Sequence, residues 1–264
     1  MKIEKVIFSI DDNPHYKGFW SSISRHFLKN LGIKSKLFIV GNSVDLSGYD
    51  TSNGEIEVVP KIEGIPGIIQ ALWAKFYYTK TEPETTWLIG DLDLYPLQRN
   101  HFIEKISSVS DESYVHLNPY GYGKDWRNGF NGLPGYFHVA KGKVFTEELG
   151  LDRDFEEIVR EIYSSNKWGI KFYSIPENEE NRMASPDHGW FCCEEMYTGY
   201  LLKDSKKLVE IPPDGEYHRI DRSTMRYQTE EISSGKFIDF HSPRPYESYQ
   251  EIIEKILSFF PPNV

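Results

Sequence analysis

The strongest constraint on the fold is a regular alternation of short apolar runs and amphipathic segments across the first hundred residues. Val6–Ile10 is an almost continuous apolar run of strand length, and Leu37–Val40, Ile56–Val59 and Trp87–Ile89 repeat the pattern. Such runs suit strands buried on both faces of a parallel sheet. Between them Trp20, Ile23, Phe27, Leu28 and Leu31 recur at helical spacing, and Gly32 is a natural helix end. Pro66 opens a second helix with an apolar face of Ile69, Leu72, Trp73 and Phe76, and Lys75 lies off that face. Strand-helix alternation with right-handed crossovers predicts an α/β fold, a single Rossmann-type domain whose mostly parallel central sheet is flanked by helices.

After Arg99 the pattern loosens. Tyr114–Leu117 and Tyr136–Val139 read as strands, and the segment between them, rich in Gly, Asn and aromatic residues, reads as a long loop. Phe155, Ile158, Val159 and Ile162 mark a helix, residues 176–187 are polar and irregular, and helix resumes around Glu194 to Leu202. Phe237–Phe240 is a short strand ending at His241, and Tyr249, Ile252, Ile253, Ile256 and Leu257 face inward from a terminal helix. Without a linker between two cores, residues 1–264 are expected to form one domain.

Composition narrows the partners. The chain has a formal net charge of -10 and no basic stripe, which argues against a nucleic-acid backbone as ligand. A phosphate-bearing ligand would therefore need a metal ion or locally placed cations. Aromatic residues make up 15% of the chain, enough either for a large core or for a ring-lined cleft. No signal peptide and no apolar stretch of membrane-spanning length is evident, and adjacent Cys192 and Cys193 read as reduced thiols, so a cytoplasmic location is expected. The phosphate loop GxxxxGK[ST], the dinucleotide fingerprint GxGxxG and the hydrolase elbow GxSxG are all missing.

The sharpest chemical feature is Gly90-Asp91-Leu92-Asp93-Leu94-Tyr95-Pro96. Two carboxylates one residue apart follow an apolar strand, and open parallel sheets bind ligands beyond the carboxyl ends of their strands. Hard divalent cations prefer oxygen ligands and are commonly shared between one or two carboxylates and a diphosphate. The competing reading of the triplet is a solvated acidic turn.

In its order of helix, strand and acidic triplet, the stretch from Pro66 to Phe102 resembles the donor site of GT-A-fold glycosyltransferases, including transferase domains of large algal viruses. The resemblance implies transfer of a hexosyl or pentosyl group from a nucleotide-diphosphate sugar to a glycan hydroxyl. A UDP-sugar is favoured, a GDP-sugar is possible, and the implied cofactor is Mn²⁺ or Mg²⁺. Residues 1–100 become the nucleotide-binding half and 101–264 the acceptor-binding half, in a host-cell cytoplasm if the chain is viral. Asp93 becomes the principal metal ligand, with Asp91 on the metal through water or on ribose, and His241 completing the shell. Gly90 and Leu92 belong to the same donor motif. Ser9, Asp11 and Asp12, with Tyr16 nearby, would hold base and ribose, although Asp11 and Asp12 could equally cap a helix. Lys75 and Arg244 would face the diphosphate, the latter through paired hydrogen bonds. His241 otherwise reads as a structural histidine, and Lys75 as a solvated lysine.

On the acceptor side the family places an acidic pair at a helix start. Here that pair is Glu194-Glu195 where the family usually includes an Asp, so Asp187 competes with them as the base that activates the acceptor hydroxyl. Tyr122, Trp126, Arg127, His188 and Trp190 are the acceptor-binding candidates. Two other activities compete: a sugar nucleotidyltransferase, which would carry a Gly-rich basic loop after its first strand, and a non-catalytic sugar-binding module, which would not need acids at a strand end.

Overall fold

The computed structural model describes residues 1–119, 133–164, 198–214 and 219–260. Its centre is a seven-stranded sheet in the order β3-β2-β1-β4-β7-β6-β8. The first four neighbours are β3 (Gly54–Val59), β2 (Lys34–Val40), β1 (Lys5–Asp11) and β4 (Thr86–Ile89), all parallel. Next comes β7 (His138–Lys141), antiparallel to both β4 and β6 (Tyr114–His116), and β8 (Leu208–Glu210) closes the far edge parallel to β6. The expected mostly parallel α/β sheet with helices on its faces is the observed architecture.

Side chains alternate between the faces, as the pleat requires. Val6, Phe8 and Ile10 of β1 pack into a cluster with Trp20, Phe27, Ile253 and Ile256. Ile7 packs on the other face with Ile69, Trp73, Phe76 and Trp87. The first cluster is covered by α1 (Phe19–His26) and the terminal helix α6 (Tyr246–Ser258), and the short α5 (Thr229–Ser233) adds Ile232 to it. The second is covered by α2 (Gly67–Tyr77), α3 (Gly142–Leu149) and α4 (Phe155–Ser164). A wider turn over Phe27–Leu31 extends α1 and ends at Gly32, whose φ of 72° lies where glycine alone is unstrained.

A second sheet of three short strands stands beside the large one, in the order β5-β10-β9. These are β5 (Leu94–Pro96), β9 (Arg219–Asp221) and β10 (Asp239–His241). Strand β10 pairs antiparallel to β5 and parallel to β9, which sets His241 opposite both Leu94 and Asp221. This sheet carries the C-terminal part of the chain back to the end of β4.

Several expectations shift. Phe137 has a φ of 61°, which no strand tolerates, so β7 begins at His138 rather than Tyr136. Tyr249 is 41% exposed and does not face inward, because the inward stripe of α6 runs through Tyr246, Ile253, Ile256 and Leu257. Pro66 caps α2 from outside instead of opening it. Lys75 is 1% exposed, not off the buried face, since α2 is enclosed nearly all round. Residues 198–202 are helical, the described part of the helix expected up to Leu202. No helix among the described residues is long and apolar enough to cross a membrane.

Candidate active site

The acidic triplet forms a tight turn between the two sheets. Leu94 N donates to Asp91 O at 3.1 Å, and β5 starts at once. The turn buries Leu92 in the core. Gly90 is fixed by close approach, since a Cβ there would lie 2.5 Å from the Phe8 ring, and its N–H donates to Ile7 O at 3.0 Å. Gly90 and Leu92 therefore hold the turn in place.

Asp91 is reached from below by α2, where Lys75 Nζ donates to Asp91 Oδ1 at 2.7 Å. A lysine with 1% exposure keeps its charge only beside such a partner. Asp93 is 6% exposed and faces the small sheet. Its backbone carbonyl accepts from Ser242 N at 2.8 Å, which locks the residue after β10 against the turn. Its Oδ2 meets Arg244 Nε at 3.1 Å, Arg222 Nη1 at 3.2 Å and His241 Nε2 at 3.5 Å. Burial opposes the charge on Asp93, but Arg244 and His241 outweigh it and hold the carboxyl well below the usual carboxylate range.

His241 sits between two carboxylates, with Nδ1 3.5 Å from Asp221 Oδ2. Burial would lower its pKa, yet Asp93 and Asp221 lift it to about 9. Asp221 in turn is held well below its ordinary value, chiefly by the hydrogen bond from His241. Arg244 stacks its guanidinium 5.1 Å from the Tyr16 ring centre and bonds the Tyr16 hydroxyl. Burial pushes the Tyr16 hydroxyl up despite that arginine. Four cationic groups, Lys75, Arg222, His241 and Arg244, thus meet the carboxylates Asp91, Asp93 and Asp221 on a chain whose net charge is -10.

The end of β1 supplies the other side. Asp11 is buried beside the first turn of α2, where a Cβ on Gly67 would come within 3.0 Å of Asp11 Cβ. Asp12 is exposed and lies near Gly41 at the end of β2. Neither caps a helix: the cap of the short turn Pro14–Tyr16 is Asn13, whose side chain accepts from His15 N. Ser9 turns away from this end and donates its hydroxyl to Ala71 O on α2.

The structure therefore gathers Asp91, Asp93, Tyr16, Lys75, His241 and Arg244, with Asp11 and Asp12 on the neighbouring strand end. Asp187, Glu194, Glu195, His188, Trp190, Tyr122, Trp126 and Arg127 lie outside the described residues. Sequence reasoning missed Arg222 and Asp221. They follow Ile220, whose burial between Arg219 and Asp221 is a single step of strand alternation, too short a signal to find. Among the described residues no three His, Cys, Asp or Glu side chains cluster tightly enough to hold an ion by themselves.

No sequence-family profile matches the chain, and no curated protein matches it either. Among solved structures it is similar to the apo form of the bifunctional glycosyltransferase WbbM, at 13% identity and a TM-score of 0.46, over 97% of this chain and 50% of that one. It is also similar to the glycosyltransferase GlyE of Streptococcus pneumoniae TIGR4, at 11% identity and a TM-score of 0.46, over 97% of this chain and 63% of that one. The chain thus spans less than two thirds of the length of either.

Proposed function

We propose that the chain is a metal-dependent glycosyltransferase that moves a sugar from a nucleotide-diphosphate donor, a UDP-sugar before a GDP-sugar, to a glycan hydroxyl. The observation that carries this reading is the convergence of Asp93, His241, Arg222 and Arg244 at the carboxyl end of β4. That is where an open α/β sheet takes its ligand. The site sets four cationic side chains among its carboxylates on a chain of net charge -10, and those cations are what a diphosphate would need.

Asp93 and His241 would fit an ion of the Mn²⁺ or Mg²⁺ kind, His241 giving up, on binding, the proton that Asp93 and Asp221 favour. They present a carboxylate oxygen and an imidazole nitrogen to one point, and two protein ligands suffice when diphosphate and water fill the other positions. Such an ion supplies charge neutralisation to the departing diphosphate. The chain's own residues do the rest. Arg244, braced on the Tyr16 ring, is placed to hold a phosphate through its fork of donors. Lys75 holds Asp91, which would face ribose or a bridging water. Asp11 and Asp12, at the end of β1, would take the base and ribose. Asp187, Glu194 and Glu195 are the acids from which the acceptor's base would come.

Against a nucleotidyltransferase, β1 leads into the Asn13-capped turn Pro14–Tyr16 and not into a Gly-rich basic loop. A thermal-shift series with UDP, GDP and their sugars, with and without Mn²⁺, tests the reading. Saturation a hundredfold above Kd should raise the melting point by roughly 5–10 °C, only with metal and for one base. No shift with any nucleotide would overturn it.

A further inference from the structure

Arg222 occupies a position that raises a physical conflict. Its Nη1 shares Asp93 Oδ2 with Arg244 Nε, at 3.2 and 3.1 Å, while His241 Nε2 stands 3.5 Å from the same oxygen. A divalent ion cannot join that oxygen beside two guanidinium groups without strong like-charge repulsion in so buried a place. One of the arginines has to leave when an ion arrives. Arg244 is held by the Tyr16 ring and hydroxyl as well as by Asp93. Arg222 has a single ion pair among the described residues, the one with Asp93, and its side chain keeps 21% exposure. Its backbone, in contrast, is fixed: Asp221 Oδ1 accepts from Ser223 N at 2.9 Å, and Met225 N donates to Asp221 O at 2.7 Å. The side chain can swing while its root stays at the site.

We propose that Arg222 is a diphosphate-binding residue held in reserve on Asp93, released by the metal ion and taken up by the donor's diphosphate. The inference rests on the metal-dependent donor site proposed above. Before binding, Arg222 neutralises Asp93. With the ion on Asp93, the freed guanidinium offers paired N–H donors matched to phosphate oxygens. Ion and diphosphate then strengthen each other's binding, and by linkage the coupling is reciprocal.

The test uses the whole chain and three probes, Mn²⁺ alone, UDP and GDP. Mn²⁺ binding is followed by the electron-spin-resonance signal of the free ion, and nucleotide binding by calorimetry at fixed excess Mn²⁺. In Arg222→Ala, Mn²⁺ alone should bind roughly tenfold tighter, because its competitor is gone, while the nucleotide with Mn²⁺ should bind roughly tenfold weaker. Arg222→Lys, a point charge without the fork, should fall between. If Arg222→Ala does not fold, Arg222→Gln should show both shifts. A variant that weakens both ligands, or leaves nucleotide affinity unchanged, would overturn the inference and leave the donor-site reading standing. A wild-type chain that binds neither UDP nor GDP at any Mn²⁺ concentration overturns that reading and this inference together.

Discussion

At Asp93 burial and charge pull in opposite directions, and the surrounding cations decide the outcome. Replacing it by Asn removes the counter-charge of Arg222, Arg244 and His241 at once. Asp93→Asn should abolish any metal-dependent nucleotide shift while the chain still melts cooperatively, which the thermal series reads directly. A second residue supports the site from deeper inside. Asp239 is fully buried and held by Arg219 Nε at 2.6 Å, and the same guanidinium donates to the Tyr136 hydroxyl at 2.8 Å. Arg219→Ala removes the guanidinium that faces this buried carboxylate and should cost about 3–5 kcal/mol in urea unfolding. Gly90→Ala should cost about 1–3 kcal/mol, because a methyl would meet the Phe8 ring at 2.5 Å and the ring is enclosed. The sequence offered the acids of the triplet because they end an apolar run. It offered no sign of Arg222, whose role depends entirely on which strand lies beside β10.

Among elements, the small sheet decides where the C-terminal part of the chain meets the triplet. Its strands have three residues each, so periodicity could not reveal β5 or β9, whereas a strand was legible at Phe237–Phe240 from its crowd of apolar residues, although the ladder runs over Asp239–His241 instead. Besides the triplet turn, a buried histidine ties this sheet to the main body. His26 of α1 donates from Nε2 to Pro96 O of β5 at 2.7 Å, and its Nδ1 accepts from Asn30 Nδ2 at 2.7 Å, an arrangement that needs the neutral ring. Burial pushes His26 down to about 4 against the hydrogen bond it donates to Pro96 O. The folded pKa is below the unfolded one near 6.5, so the unfolded chain binds the proton first and stability falls as pH drops from 6.5 towards 4. At pH 5 the loss through this group is about 2 kcal/mol relative to neutral pH. His138, held well below its ordinary value by burial, acts in the same direction. Urea unfolding at pH 7 and pH 5 should therefore show a smaller pH difference in His26→Gln than in the wild type.

For the molecule as a whole, the parallel half was readable because β1, β2 and β4 are apolar and largely buried, while β3 lies at the sheet edge with Glu55, Glu57 and Val58 exposed. The later half was less so: β7 is shortened by the backbone at Phe137, and β6 pairs with β8 across nearly a hundred residues of chain. The site combines both halves, with Asp91, Asp93 and Lys75 from the readable part and His241, Arg244, Asp221 and Arg222 from the other. Cations and carboxylates from both halves converge at one point beyond the sheet, and that convergence underlies the functional proposal. The most direct test is release of nucleoside diphosphate from a panel of UDP- and GDP-sugars in the presence of mixed glycan acceptors, with Mn²⁺ or with EDTA. The expected result is release from one nucleotide class, abolished by EDTA and by Asp93→Asn; equal release in all three conditions, or none from any donor, would contradict the account.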